Sequence, residues 1–460
     1  MTKTKDPRPA PKARYAFVSL GCPKNLVDSE RMLGLFEREG YELVEEPDGA
    51  DFVVINTCGF IDQAREESYA AIDEMLALKR QGKTRGVIVT GCLAERQKEK
   101  LLAERPELNG VVGVFAREEV ADLAAQMLTN PERQYQVVRP VPTTALHDTE
   151  RRRITPRHFA YLKIAEGCDR HCAFCCIPAL RGHYVSKPVE EIVAEARQLS
   201  ADGVRELILV AQETTWYGSD LDGQPRLRDL LLQLESVDVE WIRLMYFYPT
   251  YVDDELIATI AESSRIVPYV DVPLQHINDR MLRRMARRVT RHETTDLLAR
   301  LRSGIPGVTL RTTLLVGFPG ETEEEFDELA QFVEEQRFDR LGVFSYSREP
   351  GTPAARFSGQ LDKETKERRR ARLMKLQQKI VAEQNESRVG DTVQVLIDRA
   401  VPDQPGAWIG RTAGDAPDID GLVFVSQVDD IILEPGRMVR CEIVAAQQYD
   451  LVGVTTSKPW

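Results

Sequence analysis

The sequence lacks a long hydrophobic run, a secretory signal and a surplus of positive charge. No segment approaches the roughly 20 consecutive apolar residues of a membrane-spanning helix, so we expect no contact with a membrane. No apolar stretch follows the basic residues 1–10, and we therefore expect a cytoplasmic protein. A formal net charge of −12 disfavours a protein whose main task is to grip bare nucleic acid.

The chain is too long for one hydrophobic core. Its 460 residues suggest about three domains at roughly 150 residues each, and 42% hydrophobic residues exclude wholesale disorder. We predict an α/β protein with five segments: a flexible tail (1–13), an N-terminal parallel α/β domain (14–126), a linker (127–156), a core domain with a connecting helix (157–387) and a small all-β barrel (388–460). The Arg151–Arg153 run of the linker is expected to be solvated.

Eight cysteines are present, and their placement is uneven. Without an export signal, metal or redox chemistry is more probable for them than a disulfide framework. Three apolar, β-branched runs in the first domain predict parallel strands, and they end at Cys22, Cys58 and Cys92. Since parallel strands end at one edge of a sheet, these cysteines are expected to form a shared ligand site. The alternative is that each is a small buried hydrophobe at a strand end.

The second part alternates strands and helices six times, which predicts an incomplete (β/α)6 barrel. The six predicted strands are Phe159–Ala165, Glu206–Ala211, Trp241–Tyr248, Tyr269–Pro273, Val308–Val316 and Arg340–Tyr346. A long helix follows from Asp362 to Gln384, with eight Lys and Arg against two Glu between Lys363 and Lys379. We interpret this basic run as a solvated face, with a contact to ribosomal or transfer RNA as the alternative.

The third part changes to strands separated by Gly, Pro and Asp turns, which predicts the small β-barrel. The predicted strands are Thr392–Ile397, Gly421–Val425, Ile431–Leu433 and Met438–Ala445. Residues 388–460 hold six Lys and Arg against eleven Asp and Glu, a poor match for phosphates.

Cys168, Cys172 and Cys175 form a C-x₃-C-x₂-C motif directly after the first predicted barrel strand. Three thiolates about 6 Å apart would repel by about 3 kcal/mol per pair at an effective dielectric constant of about 20, so they need a metal or must stay protonated. Three interpretations compete: a helical core stripe, a zinc site completed by Cys176 or His171, and an iron–sulfur cluster with one iron left open.

With Phe174 before its last cysteine, this motif resembles that of the radical S-adenosylmethionine superfamily. The resemblance implies a [4Fe–4S] cluster on Cys168, Cys172 and Cys175, and S-adenosylmethionine as cofactor. The three-part chain as a whole resembles the methylthiotransferases of that superfamily. This second resemblance implies another [4Fe–4S] cluster, which carries or supplies the sulfur, on Cys22, Cys58 and Cys92, and a TRAM-like C-terminal barrel.

The segments Gly410–Gly421, Tyr248–Thr250 and Asp339–Phe344 resemble one branch of the methylthiotransferases. That branch modifies the β-carbon of an aspartate in the twelfth protein of the small ribosomal subunit. The resemblance implies this protein, free or within the subunit, as the partner, and a flavodoxin-like reductant as the electron donor. Two alternatives stay open: a tRNA adenosine methylthiotransferase, and a non-catalytic, zinc-dependent RNA-binding protein.

Weaker signals surround the predicted barrel. Gly317–Glu321 resembles a loop that lines the cofactor site in the superfamily, although it could be only a strand-to-helix turn. Gln212–Thr214 is a second candidate for cofactor contacts, and His276 faces the cavity or is a structural residue. Cys176 and Cys441 are expected to be bystanders, and no catalytic side chain is assigned.

Overall fold

The computed structural model describes residues 11–428 and 431–456, so most of the predicted tail lies outside the described residues. The chain divides into two compact units. The first holds the residues up to Ile154 together with Cys176–His183, and the second holds Thr155–Cys175 and the chain from Tyr184 onward. In the described part, no helix is both long and apolar enough to cross a membrane.

The first unit is built on a six-stranded, fully parallel sheet in the order β2-β1-β3-β4-β5-β6. The strands are β1 (Arg14–Ser19), β2 (Glu42–Leu43), β3 (Phe52–Thr57), β4 (Gly86–Gly91), β5 (Gly110–Val112) and β6 (Tyr135–Val137). The helices are α1 (Pro23–Arg38), α2 (Asp62–Arg80), α3 (Cys92–Gln97), α4 (Glu99–Glu104), α5 (Val120–Thr129) and, from the later segment, α6 (Ile177–Arg181).

Strands β3 and β4 are buried along their whole length, because apolar clusters cover both faces of the sheet. This explains why they read as continuous apolar runs rather than as an alternation. The structure adds β6, a three-residue strand inside the segment predicted as a linker, and a strand this short leaves no detectable period. The expectation for the linker arginines is wrong at Arg151, whose guanidinium lies 3.1 Å from Glu30 in a buried ion pair.

The second unit begins with an open parallel sheet in the order β14-β13-β12-β11-β10-β7, which confirms the incomplete (β/α)6 barrel. Its strands are β7 (Phe159–Lys163), β10 (Glu206–Val210), β11 (Trp241–Leu244), β12 (Ile266–Asp271), β13 (Thr309–Val316) and β14 (Arg340–Ser345), with a small ribbon of β8 (Ala165–Glu166) and β9 (Val185–Ser186). Its helices are α7 (Val189–Ala201), α8 (Ser219–Asp222), α9 (Leu227–Leu234), α10 (Asp254–Glu262), α11 (Asp279–Arg284), α12 (Arg291–Gly304), α13 (Glu323–Gln336) and α14 (Lys363–Glu386).

Helix α14 is the predicted basic helix, and much of its charge is used inside the unit. Arg368 and Arg369 pair with Glu323 of α13, and Arg372 pairs with Asp327 of the same helix. The acidic start of α13 that complements its own dipole therefore also receives the arginines of its neighbour. Three of the eight basic side chains thus contact α13, and two of them, Arg368 and Arg372, stay more than half exposed.

The chain ends in a closed antiparallel-rich barrel in the order β15-β16-β17-β19-β18. Its strands are β15 (Thr392–Ala400), β16 (Ala407–Arg411), β17 (Val423–Ser426), β18 (Met438–Gln447) and β19 (Asp450–Thr455). The predicted strand Ile431–Leu433 is wrong, since these residues form no strand, although Leu433 is buried in the barrel core. Strands β16 and β19 were not predicted from the sequence.

Buried ion pairs join this barrel to the six-stranded sheet within the second unit. Arg411 bridges Glu206 of β10, at 2.7 Å, and Asp398 of β15, at 2.8 Å. Asp415 pairs with Arg340 of β14, and Asp420 accepts a hydrogen bond from the Tyr269 hydroxyl at 2.7 Å. Removing one partner of such a buried pair costs about 3–5 kcal/mol, because the other charge stays buried.

Candidate functional site

Three cysteines lie at the carboxyl edge of the first sheet. Cys22 is the N-cap residue of α1, Cys58 directly follows β3, and Cys92 directly follows β4 as the first residue of α3. Because β1, β3 and β4 are adjacent and parallel, their ends bring these residues to one place. The convergence expected from the sequence is therefore found, and the role of the cysteines as ligands stays a prediction.

The loops that carry these cysteines touch one another. A Cβ atom on Gly21 would lie 3.0 Å from the Cβ of Cys58, and one on Gly59 would lie 2.8 Å from the backbone of Cys92. Glycine is required at residue 21 for a second reason, since its φ is +94°. Only residues without a side chain allow the strand ends to approach this closely.

Hydrogen bonds stabilise the same edge of the sheet. The Ser68 hydroxyl donates to the Cys58 carbonyl at 3.0 Å, and the Cys58 N–H lies 3.0 Å from the same hydroxyl. The Asn56 amide donates to the backbone of Asn25 at 2.9 Å and to Ser29 at 2.8 Å. The cysteine positions are thus fixed by polar side chains of β3, α1 and α2.

A buried arginine lies next to the first trio. Arg181 of α6 donates from Nε to the Sγ of Cys92 at 3.3 Å. Burial raises the pKa of the Cys58 thiol, and it raises the pKa of Cys92 to about 12 despite the nearby guanidinium. These thiols are protonated near neutral pH unless a metal displaces the proton.

Cys176, expected to be a bystander, also lies here. It is buried in a small apolar cluster with Cys92 and Leu180, and its thiol donates to the Phe60 carbonyl at 3.5 Å. Sequence spacing gave no signal for this placement, because the segment Cys176–His183 belongs to the first unit although the residues on both sides of it belong to the second. Cys441 is the bystander that was expected, in the core of the C-terminal barrel.

The second trio lies in one loop that follows β7 and β8. The Cys175 N–H donates to the Cys172 carbonyl at 3.0 Å, and the Arg170 N–H donates to the Cys168 sulfur at 3.4 Å. Burial raises the pKa of Cys168 to about 12. A helical core stripe is excluded, since this loop contains no helix over its three cysteines.

Two neighbours anchor this loop to the sheet. Phe174 packs edge-to-face on Phe318, with ring centroids 6.5 Å apart, within a cluster that includes Tyr346. Arg170 makes two hydrogen bonds of 2.7 Å to Glu213, and its guanidinium lies 4.4 Å from the centroid of the Tyr248 ring. The loop is therefore held on both sides of Cys172.

Gln212 and Arg287 contact residues in or next to this loop. Among the described residues, the buried Oε1 of Gln212 and Nε of Arg287 have no hydrogen-bond partner. Arg287 also reaches the Cys172 sulfur, with Nη1 at 3.8 Å, and Gln212 donates to Glu166 at 2.7 Å. An acceptor and a cationic donor beside the loop fit a ligand that carries both an amino and a carboxyl group, as S-adenosylmethionine does.

His276 and Glu321 are structural in this fold. His276 is fully buried, lies 3.1 Å from Glu321 and accepts hydrogen bonds from the backbone of Ile277 and Asn278. Glu321 in turn accepts from the Gly317 N–H at 2.6 Å. Its carboxylate therefore closes the strand-to-helix turn after β13.

No three His, Cys, Asp or Glu side chains of residues 11–428 and 431–456 converge on a point suited to one metal ion. A [4Fe–4S] cluster does not need such a point, because each thiolate binds a different iron atom. Two groups of three cysteines beside buried arginines therefore fit iron–sulfur clusters in donor type and number.

Three known families match consecutive parts of the chain. Residues 14–113 match an uncharacterized protein family designated UPF0004, residues 162–333 match the radical SAM superfamily, and residues 389–455 match the TRAM domain. A ribosomal protein uS12 methylthiotransferase RimO from Anaeromyxobacter sp. strain K is 49% identical over 95% of this chain and 92% of its own length.

This chain belongs to the uS12 methylthiotransferase family. A second relative of that name, from Myxococcus xanthus, is 45% identical over 98% of this chain and 93% of its own length. A third, from Lachnoclostridium phytofermentans, is 45% identical over 95% of this chain and 98% of its own. All three relatives match at least 95% of this chain.

Solved structures support the fold of this family member. The radical S-adenosylmethionine methyltransferase TsrM from Kitasatospora setae superposes with a TM-score of 0.55 at 15% identity, covering 75% of each chain. The cobalamin-dependent radical enzyme OxsB gives a TM-score of 0.51 at 12% identity, covering 77% of this chain and 56% of that one. At such low identity the likeness concerns architecture alone.

Proposed function

We propose that this protein is a radical S-adenosylmethionine enzyme that adds a methylthio group to the β-carbon of an aspartate in ribosomal protein uS12. The name shared by its full-length relatives supports the substrate. The observation that carries the proposal is the pair of three-cysteine groups, one at a sheet edge and one in a loop. Three thiolates leave one iron of a [4Fe–4S] cluster open, as chemistry at a cluster requires.

In this proposal Cys22, Cys58 and Cys92 hold one cluster. Cys168, Cys172 and Cys175 hold the other. When bound, the groups supply reductive cleavage of S-adenosylmethionine at the second trio and a sulfur source at the first. The protein supplies the rest of the site: it orients the thiols, buries those of Cys92, Cys168 and Cys172, and places an arginine beside one sulfur of each trio.

At the second trio, Arg287 and Gln212 are the side chains we assign to the cofactor. Arg287 reaches Cys172, so its charge stabilises the thiolate and its unpartnered Nε remains as a donor for a carboxylate. Gln212 is held by Glu166, so its Oε1 is oriented and available to accept from an ammonium group. Glu166 itself is fixed by Lys163 at 3.0 Å.

The negative charge of the C-terminal barrel is a weaker argument for uS12 over tRNA than the sequence suggests. Asp398, Asp415 and Asp420 of the C-terminal barrel are used in contacts to Arg411, Arg340 and Tyr269, so they add little negative field outside. The full-length relatives carry the choice instead. A contact with ribosomal RNA, a flavodoxin-like reductant and the cytoplasmic location stay predictions, as do the predicted domain limits.

The test is the loss of the product in a deletion strain. Mass spectrometry of uS12 should show that the methylthio mark disappears, and that the full-length chain restores it. Digested tRNA from the same strain should keep its methylthioadenosine. Loss of the tRNA mark with an intact uS12 mark would refute the proposed substrate.

The cofactors are tested separately on anaerobically reconstituted protein. About eight irons and eight sulfides per chain are expected for two clusters. Zinc without sulfide would refute the enzyme and favour the zinc-binding alternative.

A further inference from the structure

A charged side chain is completely enclosed beside the first trio. Arg181, the last residue of α6, is 2% exposed, and its Nε donates to the Cys92 sulfur at 3.3 Å. Its other two nitrogens are used as well: Nη1 donates to Asp28 at 2.6 Å and Nη2 donates to the Asn25 side chain at 3.0 Å. Because both Nη atoms are hydrogen-bonded, the guanidinium plane is fixed, and its Nε–H points at the Cys92 sulfur.

The partner that fixes Arg181 belongs to a longer network. Asp28 also pairs with Arg117, and Arg117 pairs with Asp148 at 2.7 Å. All four charged side chains are buried. A network of this kind is costly to bury, and removing one member leaves a charge without compensation. Its two arginines and two aspartates balance in charge, and together they hold the Arg181 guanidinium in place beside Cys92.

We propose that Arg181 is a positioning residue for the cluster of the first trio, which holds the Cys92 sulfur and sets the reduction potential of that cluster. The proposal rests on the proposed function only for the assignment of Cys92 as a ligand. Hydrogen bonds to sulfur and nearby positive charge raise the reduction potential of an iron–sulfur cluster, because they stabilise the reduced, more negative state. Arg181 supplies both to one ligand.

The contact could not be inferred from the chain order. Arg181 and Cys92 are 89 residues apart, and Arg181 follows the motif of the other trio by only six residues. The segment Cys176–His183 packs with the first unit, and this placement alone brings the guanidinium to Cys92.

The experiment uses the full-length chain with Cys168, Cys172 and Cys175 replaced by alanine, so that a single cluster is observed. Its midpoint potential is measured by anaerobic redox titration followed by electron paramagnetic resonance. In Arg181→Gln the potential should fall. At the midpoint of the parent, the ratio of oxidised to reduced cluster should rise about tenfold, which is about 59 mV for one electron. The Arg181→Lys variant keeps the positive charge but loses the planar guanidinium. Its midpoint potential should therefore lie between those of the parent and of Arg181→Gln.

Arg117→Gln is the matched control. It also removes an arginine from Asp28, but the hydrogen bonds of Arg117 run to Asp28 and to the His147 carbonyl, so the potential should fall clearly less than in Arg181→Gln. Circular dichroism reports folding of each variant, and if Arg181→Gln does not fold, Arg181→Lys still provides the test. An unchanged potential in the Arg181 variants, or an equal fall in Arg117→Gln, would overturn the positioning role and leave the proposed function standing. A parent that binds no cluster would overturn both.

Discussion

Cys168, Cys172 and Cys175 share one loop after β8, whereas Cys22, Cys58 and Cys92 reach a common edge from three different strands. The loop trio is defined by local spacing and held by contacts of its own neighbours, such as Phe174 and Arg170. The sheet-edge trio exists only because β1, β3 and β4 are adjacent. Damage to the sheet should therefore harm one trio and spare the other.

Electrostatically the two trios are alike. Burial raises the pKa of Cys92 and of Cys168 to about 12, and each trio has a buried arginine within hydrogen-bonding reach of one sulfur. At Cys92 and Cys168 the thiolate therefore forms near neutral pH only when a metal displaces the proton. The trios differ in how they are assembled, and the donor chemistry is common to both.

The largest expected effect separates the two trios by activity. Cys172→Ala should abolish cleavage of S-adenosylmethionine, measured as 5′-deoxyadenosine, because it removes a ligand of the loop trio. Cys58→Ala should retain part of that cleavage but form no methylthiolated uS12. Product formation at the normal rate by Cys58→Ala would show that the first unit does not supply the sulfur.

A backbone change tests the dependence of the first trio on the sheet. Gly91 has a φ of +89°, and a Cβ there would lie 2.2 Å from the Asn56 side chain and 2.5 Å from the Thr57 carbonyl. Gly91→Ala should lower the free energy of unfolding by about 3 kcal/mol or more, through left-handed strain and overpacking. Iron bound by the first trio should fall, with that of the loop trio unchanged.

Gly82→Ala is the control for that change. Gly82 also has a positive φ, +72°, but a Cβ there would meet nothing within 4 Å. The cost should be about 1 kcal/mol from strain alone, with full iron content. Equal iron loss in both variants, measured after reconstitution, would mean that general instability and not the edge geometry governs cluster binding.

Phe174→Ala tests the anchor of the loop trio. The change removes the contact with Phe318 from a partly buried ring, at a cost of about 2 kcal/mol. Iron bound by the second trio should fall while the first trio keeps its own. Leu232→Ala, on the exposed face of α9 at 53% exposure, should change stability by less than about 0.5 kcal/mol and leave both iron sites intact. A normal second cluster in Phe174→Ala would refute the anchoring role.

The smallest effect is the pH dependence of the metal-free protein. The pKa of Cys92 in the folded state is raised from 9.0 to about 12, so the folded thiol keeps its proton where the unfolded one loses it. Stability is therefore present below pH 9 and is lost as the pH rises from there, by about 1 kcal/mol between pH 9 and pH 10 for one thiol. Cys92→Ala should flatten this fall in urea unfolding.

Cys441 sharpens the same comparison. Burial raises its pKa to about 12 as well, yet it lies in the core of the C-terminal barrel. Cys441→Ala should flatten the pH dependence to the same extent and leave the iron content unchanged. Iron loss in this variant would argue that burial of a thiol, and not membership of a trio, determines its importance.

Most of the architecture was predictable because its signals are local. The six barrel strands, the long helix from residue 363 and the three cysteine-terminated strands follow from hydrophobic patterning. Strands β2, β5 and β6 were missed because two or three residues carry no period, and β16 and β19 because no turn signal was recognised around them. Ile431–Leu433 reads as a strand but packs without pairing.

The sequence by itself determined the cysteine inventory, the order of the three parts and the loop trio, since each depends on residues that are near one another along the chain. The tertiary structure alone decided that Arg181 contacts Cys92 and is held there by Asp28. It also decided that Asp415 and Asp420 contact Arg340 and Tyr269 of the parallel sheet. These contacts join residues tens to hundreds of positions apart. The packing of whole strands and helices determines them, and no local pattern encodes such packing.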